Sequence, residues 1–169
     1  MTVAPGIARP GWKSQLKAVV PLYGHRNWIV VADSAYPAQS SPGIDTTISG
    51  ASQIEVARKV FDAVRTSKHV GANIYLGQEL GFVAERDAPG VSRFRTQLAE
   101  LLKSTKTTTL PHEQIIARLD KTAQLFRVLI IKTDLTIPYT SIFFELDCGY
   151  WSAEAEQRLR QAMAASGAK

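Results

Sequence analysis

The chain has 169 residues, of which 45% are hydrophobic and 21% charged, and its 20 basic and 15 acidic side chains leave a formal charge of +5. This composition excludes a disordered chain, and the length fits one domain with a sizeable core. No apolar run reaches the roughly 20 residues of a bilayer span, and a single cysteine, Cys148, excludes an internal disulfide or a Cys-rich zinc site. The first residues, with Pro5, Gly6 and Pro10, carry no apolar export signal, so a cytoplasmic protein is expected.

Residues 1–11 read as a flexible arm. From Trp12 to Leu22, Leu16, Val19, Val20 and Tyr23 recur at helical spacing. Trp28 to Ala32 is a short continuous apolar run and predicts a buried strand. Asp33 closes it, and a loop rich in Ser, Pro and Gly is expected from Ser34 to about Gly50. Ser52 stands three residues before Glu55, a capping-box spacing, and an amphipathic helix follows to about Lys68. Ala72 to Leu76 predicts a second strand. Residues 77–90 show no clear pattern, Pro89-Gly90 is a turn, and Phe94, Leu98, Leu101 and Leu102 mark a further helix.

Pro111 suits the first turn of a helix carrying Ile115, Ile116 and Leu119. Phe126 to Ile131 is the strongest strand signal. A turn through Thr136 and Pro138 leads to a strand from Ser141 to Leu146, and Trp151 to about Ala165 predicts a last helix with Ser152 as its cap. Strands separated by helices predict a single α/β domain, residues 12–150, with a largely parallel central sheet flanked by helices. Residues 151–169 add a helix and tail.

Open α/β sheets bind ligands beyond the carboxyl ends of their strands, so polar residues there carry weight. Asp33 ends the first strand, in a place where a turn aspartate is also common. His25 precedes that strand, and imidazole is the side chain that exchanges protons near neutrality. His112 opens a helix. Tyr139 and Ser141 lie where the last strand begins, and Tyr139 either offers its hydroxyl to a polar ligand or packs on the core. Glu145 and Asp147 alternate with apolar residues and read as solvated acids at a sheet edge. His69 needs no function beyond a helix-end contact. No phosphate-binding glycine pattern, nucleophile elbow or compact metal-ligand spacing is present. No metal is expected.

The motifs taken in order resemble the D-ribose pyranase and L-fucose mutarotase family. Gly24-His25, an apolar strand and Asp33-Ser34-Ala35-Tyr36-Pro37 are similar to the family's Gly-His, strand and Asp-Ala-x-x-Pro. Ile44-Asp45, His112-Glu113-Gln114 and Pro138-Tyr139-Thr140-Ser141-Ile142 resemble its later landmarks, between about residues 14 and 148. The middle, about 77–106, matches poorly. Ser141 replaces a usual asparagine, and the chain continues past the family's usual end.

The resemblance implies a mutarotase-like α/β fold and cofactor-independent interconversion of anomers or ring forms of an aldose such as ribose or fucose. It assigns His25 as proton donor and Asp33, His112, Tyr139 and Ser141 to substrate binding. It also implies a ring-shaped homo-oligomer, commonly a decamer, with sites between subunits. A non-catalytic sugar-binding or regulatory protein on the same fold is the alternative. Nucleic acid and membrane are not expected as partners, because the basic residues are spread over helix faces with acids between them.

Overall fold

The computed structural model describes residues 11–167, so the flexible arm expected at the amino end falls almost wholly outside the described residues. Six strands form one sheet: β1 (Trp28–Ala32), β2 (Ile44–Ile48), β3 (Val70–Gly77), β4 (Thr107–Leu110), β5 (Val128–Lys132) and β6 (Ile142–Cys148). Their spatial order is β2-β5-β1-β6-β3-β4. Every neighbouring pair is parallel except β6, which runs antiparallel to both β1 and β3. The largely parallel α/β sheet expected from the sequence is therefore present.

Helices α1 (Trp12–Val19), α2 (Gln53–Arg65) and α3 (Val91–Leu102) cover one face of the sheet. There Leu16, Val56, Val60, Phe94 and Leu98 pack against Ile29, Val31, Leu129, Ile131, Ile142 and Phe144. Helix α4 (His112–Ala123) covers the other face, with Ile115 and Leu119 against Trp28, Val30, Val128, Ile130 and Phe143. Alternation along each strand sends odd and even residues to opposite layers. All five residues of β1 are buried, as a central strand covered on both faces requires. Helix α5 (Ala153–Ala165) buries none of its residues.

The caps form as the sequence predicts. Ser52 Oγ accepts from Glu55 N at 3.3 Å, and Ser152 Oγ from Ala155 N at 3.1 Å. His69 does serve a helix end, although not that of its own helix. Its Nε2 lies 3.1 and 3.0 Å from the carbonyls of Val20 and Tyr23, which close α1.

Two strands went unread. β2 lies inside the expected long loop, and β4 in Thr107-Thr108-Thr109-Leu110; both are edge strands with no fully buried residue. Gly43 leads into β2 against the end of α4, where an added Cβ would collide with the Ala123 carbonyl. Residues 78–81 form a single 3-10 turn directly after β3. Among the described residues no helix is long and apolar enough to cross a membrane.

Candidate functional site

β5 and β6 are joined by residues 133–141, with no helix between them. The link passes over the carboxyl end of β1 and enters β6 on its far side, so β6 must run antiparallel. This path sets Ser141 beside Asp33. Ser141 Oγ lies 3.4 Å from Asp33 Oδ2, while Asp33 Oδ1 accepts from Ala35 N at 3.0 Å. One carboxylate oxygen thus holds the turn after β1, and the other faces the link.

Tyr139 stands in that link with φ +60°, a left-handed conformation unusual for a bulky side chain. Such a backbone costs roughly 1–3 kcal/mol and is commonly found where function needs it. The residue remains 41% exposed, and its ring meets His112 edge to face, with centroids 5.5 Å apart. His112 also lies against Phe143, at 6.0 Å. Asp33, His112, Tyr139 and Ser141 therefore gather at the carboxyl ends of the parallel strands. A groove lined by Gln78, Glu79, Phe82, Val83, Pro111 and Tyr139 opens beside them.

Two supporting residues escaped the sequence reading. Pro111 caps α4 without a side-chain bond, and Glu79 supplies one from the end of β3. Both its carboxylate oxygens lie 3.0 Å from His112 N, a negative charge on the positive end of the helix. The signal was an acid directly after a strand, in the stretch without a pattern. Gln53 of α2 is 2% exposed. Its Nε2 donates to Thr140 O at 2.6 Å, and its Oε1 accepts from the Thr133 hydroxyl at 2.5 Å. A single buried amide thus ties both ends of the crossing link to α2. The Thr140 hydroxyl donates to Ile137 O at 2.8 Å and tightens the same turn. Burial, with help from the charges of Asp120 and Asp33, pushes the Tyr36 phenol far above its ordinary range. Tyr36 is therefore a fixed neutral group beside Asp33.

His25 does not join this group within one chain. It precedes β1, whose rise alone is roughly 13 Å at about 3.3 Å per residue, and Asp33 follows the strand. His25 therefore lies at the opposite end of the sheet. Its Nδ1 is 2.8 Å from Asp147 Oδ1, and Arg26 Nε donates to its Nε2 at 3.2 Å. Desolvation opposes ionisation of Asp147, but the Cys148 amide and His25 together outweigh it and hold the carboxyl below its ordinary range.

Glu145 and Asp147 are not edge acids, because β6 lies inside the sheet. Glu145 Oε2 accepts from the Tyr75 hydroxyl at 2.8 Å and lies 3.7 Å from Arg118 Nη2. Burial and that carboxylate raise the Tyr75 phenol. Among the described residues no cluster of three or more His, Cys, Asp or Glu could hold a metal ion.

No curated protein matches the chain in sequence. Solved structures match its fold. RbsD of Bacillus subtilis, solved with D-ribose, superposes with a TM-score of 0.56 at 17% identity, over 86% of this chain and 98% of that one. The fucose mutarotase of Streptococcus pneumoniae, solved with L-fucose, gives 0.55 at 16% identity, over 83% and 98%. FucU of Bifidobacterium longum gives 0.55 at 14%, over 79% and 94%. At these identities the likeness establishes the fold. The sequence profile of the RbsD / FucU transport protein family matches residues 9–149, and by that span, most of its length, the chain belongs to the RbsD / FucU family.

Proposed function

We propose that this protein is a cofactor-independent monosaccharide mutarotase, and that each site is completed by His25 of a second copy. The observation that carries this reading is the gathering of Asp33, Ser141, Tyr139 and His112 at one end of the sheet. A carboxylate, hydroxyls and an imidazole within one small region suit a polyhydroxylated ring, and the Tyr139 face suits its C–H side. Relatives of the same fold were solved with D-ribose and L-fucose, which supports an aldose as the ligand class.

Ring opening needs a proton delivered to the ring oxygen and another removed from the anomeric hydroxyl. Reclosure reverses both transfers. An imidazole serves in both directions, since it gains and loses a proton near neutrality. Asp33 and Ser141 would orient sugar hydroxyls, and His112, held by Glu79, would face the same space as Tyr139. The task is modest, because mutarotation already proceeds in water; about 3 kcal/mol off the barrier gives more than a hundredfold.

Separation of His25 from Asp33 along β1 favours a site shared between copies. Two measurements test the reading. Saturation-transfer NMR on a panel of aldoses should show faster anomer exchange with the wild type and none with His25→Ala. Mixing His25→Ala with Asp33→Ala subunits should then restore activity, at about a quarter of the sites in a random closed assembly. Absence of acceleration on every aldose defeats the catalytic reading, and mixing without recovery defeats the shared site.

One observation favours a second reading, a sugar-binding protein without catalysis. Ser141 stands where the family usually carries asparagine, and its hydroxyl is already turned to Asp33. Saturable sugar binding with no exchange would distinguish it.

A further inference from the structure

We infer that Asp147 is a positioning residue for His25, holding its imidazole in the form with hydrogen on Nδ1 and a bare Nε2. The inference rests on the reading of His25 as the group that transfers protons.

Backbone pairing sets the geometry. Trp28 faces Glu145 across the antiparallel β1–β6 ladder, and Asp147 lies two residues further along β6 on the same face. The ladder continues past the strand, with Arg26 N donating to Leu146 O at 2.9 Å and Leu146 N to Asn27 O at 2.8 Å. Asp147 is therefore carried to His25 by main-chain bonds, and side-chain reach alone does not decide the pairing. Its Oδ1 also accepts from Cys148 N at 2.7 Å, which fixes the carboxylate against rotation. Asn73 of β3 further favours the ionised form of Asp147.

The other ring nitrogen has its own partner. Residues 24–27 form a turn closed by Asn27 N on Gly24 O at 3.1 Å, and Gly24 N donates to Asn27 Oδ1 at 2.9 Å. Arg26 takes the third position of that turn with φ +74°, a place where glycine is usual. The strained backbone sets Arg26 Nε on His25 Nε2, while its guanidinium lies over the Phe126 ring at 5.6 Å. A guanidinium only donates and an ionised carboxylate only accepts. Nε2 must then be bare, and Nδ1 must carry the hydrogen. Two neighbours on opposite sides of the ring demand the same form.

An imidazole without partners prefers hydrogen on Nε2, so the arrangement works against the intrinsic preference. Its consequence for the reaction is direct. The nitrogen turned away from Asp147 becomes the proton-transferring atom, and the carboxylate faces the ring as that atom gains a proton. Arg26 covers Nε2 in the free chain and must yield it to a sugar.

The test is long-range proton–nitrogen NMR of protein labelled with nitrogen-15 in histidine, with His25 in its neutral form. The wild type should show hydrogen on Nδ1. Asp147→Ala should raise the share of the Nε2–H form, which Arg26 alone then opposes, and slow aldose exchange about tenfold, a share of the hundredfold or more that a placed acid–base group supplies. Asp147→Asn, which keeps an acceptor, should retain the Nδ1–H form. A wild-type ring with hydrogen on Nε2 overturns the inference without any variant, and so does Asp147→Ala with an unchanged form or an undiminished rate. If no aldose is exchanged by the wild type, the mutarotase reading falls alone, and the nitrogen shifts still decide the role of Asp147.

Discussion

At the carboxyl ends of the parallel strands the supporting polar groups, Gln53 and Thr140 buried and Glu79 half-buried, are bonded to backbone: Gln53 to Thr140, Glu79 to His112, Thr140 to Ile137. At the amino end of β1, His25 and Asp147 are 59% and 52% exposed and bonded to each other. The first arrangement is expensive to disturb, because breaking the bonds of Gln53 strands a buried donor or acceptor. The second is open to water, where even a full ion pair is worth only about 0.2–1 kcal/mol. The difference teaches that the group of Asp33, Ser141, Tyr139 and His112 is shaped within one chain, while His25, the proposed proton-transferring residue, sits on a surface able to meet another molecule.

Gln53→Leu should break that contrast most severely. It removes the donor to Thr140 O, which is left unpaired in the interior, and one of the acceptors for the Thr133 hydroxyl, which keeps Ala32 O at 3.1 Å, at a cost of roughly 1–3 kcal/mol. Urea unfolding should show the loss, and sugar affinity should fall with it, while the nitrogen shifts of His25 stay as in the wild type. Changes at His25 of the same size would mean that the two ends are not built independently.

Tyr139→Gly separates stability from binding at the first end. Glycine adopts φ +60° freely, so relief of strain offsets part of the packing lost against His112, and stability should change by less than about 1 kcal/mol. Sugar affinity should nevertheless fall about tenfold by calorimetric titration, equal to about 1.4 kcal/mol. A stable variant with unchanged affinity would remove Tyr139 from the site.

The smallest effect concerns acid stability at the second end. The folded state holds the Asp147 carboxyl below its ordinary range, so the unfolded chain binds its proton first as pH falls. Its contribution is complete above the unfolded carboxylate range, near pH 4, and is lost as pH drops through the lower folded value. Asp147→Asn should differ most from the wild type at neutral pH and converge with it in acid, by a few tenths of a kcal/mol, since half the side chain is solvated. Thermal unfolding against pH reads this directly; parallel curves would show that the pair contributes nothing.

Much of the fold is legible in the sequence where burial is high. β1 and β5 are continuous apolar runs because both faces are covered. β2 and β4 lie at the two edges, where Asp45, Ile48, Thr108 and Thr109 are exposed and no apolar pattern is needed, so they pass for loop. The same logic misplaces Glu145 and Asp147. Their polar alternation suggests an edge, yet β6 is interior, and its outer layer is left partly open by the single helix α4. Gln53 and Glu79 are invisible for a different reason: their partners are backbone groups 87 and 33 residues away, which no local spacing reports. His25 and Asp33 are close in sequence, but a strand between them carries its two ends apart.

β6 begins beside Ser141 and reaches Asp147 in one uninterrupted ladder. It therefore works as a ruler between the two ends of the sheet. A slip of two residues along β1 would keep every side chain on its proper face and leave the core outwardly intact. The same slip would carry Ser141 off Asp33 and Asp147 off His25 together. Registration of one short strand thus calibrates both chemical groups at once, and in a closed assembly each copy of that strand would tune two neighbouring sites.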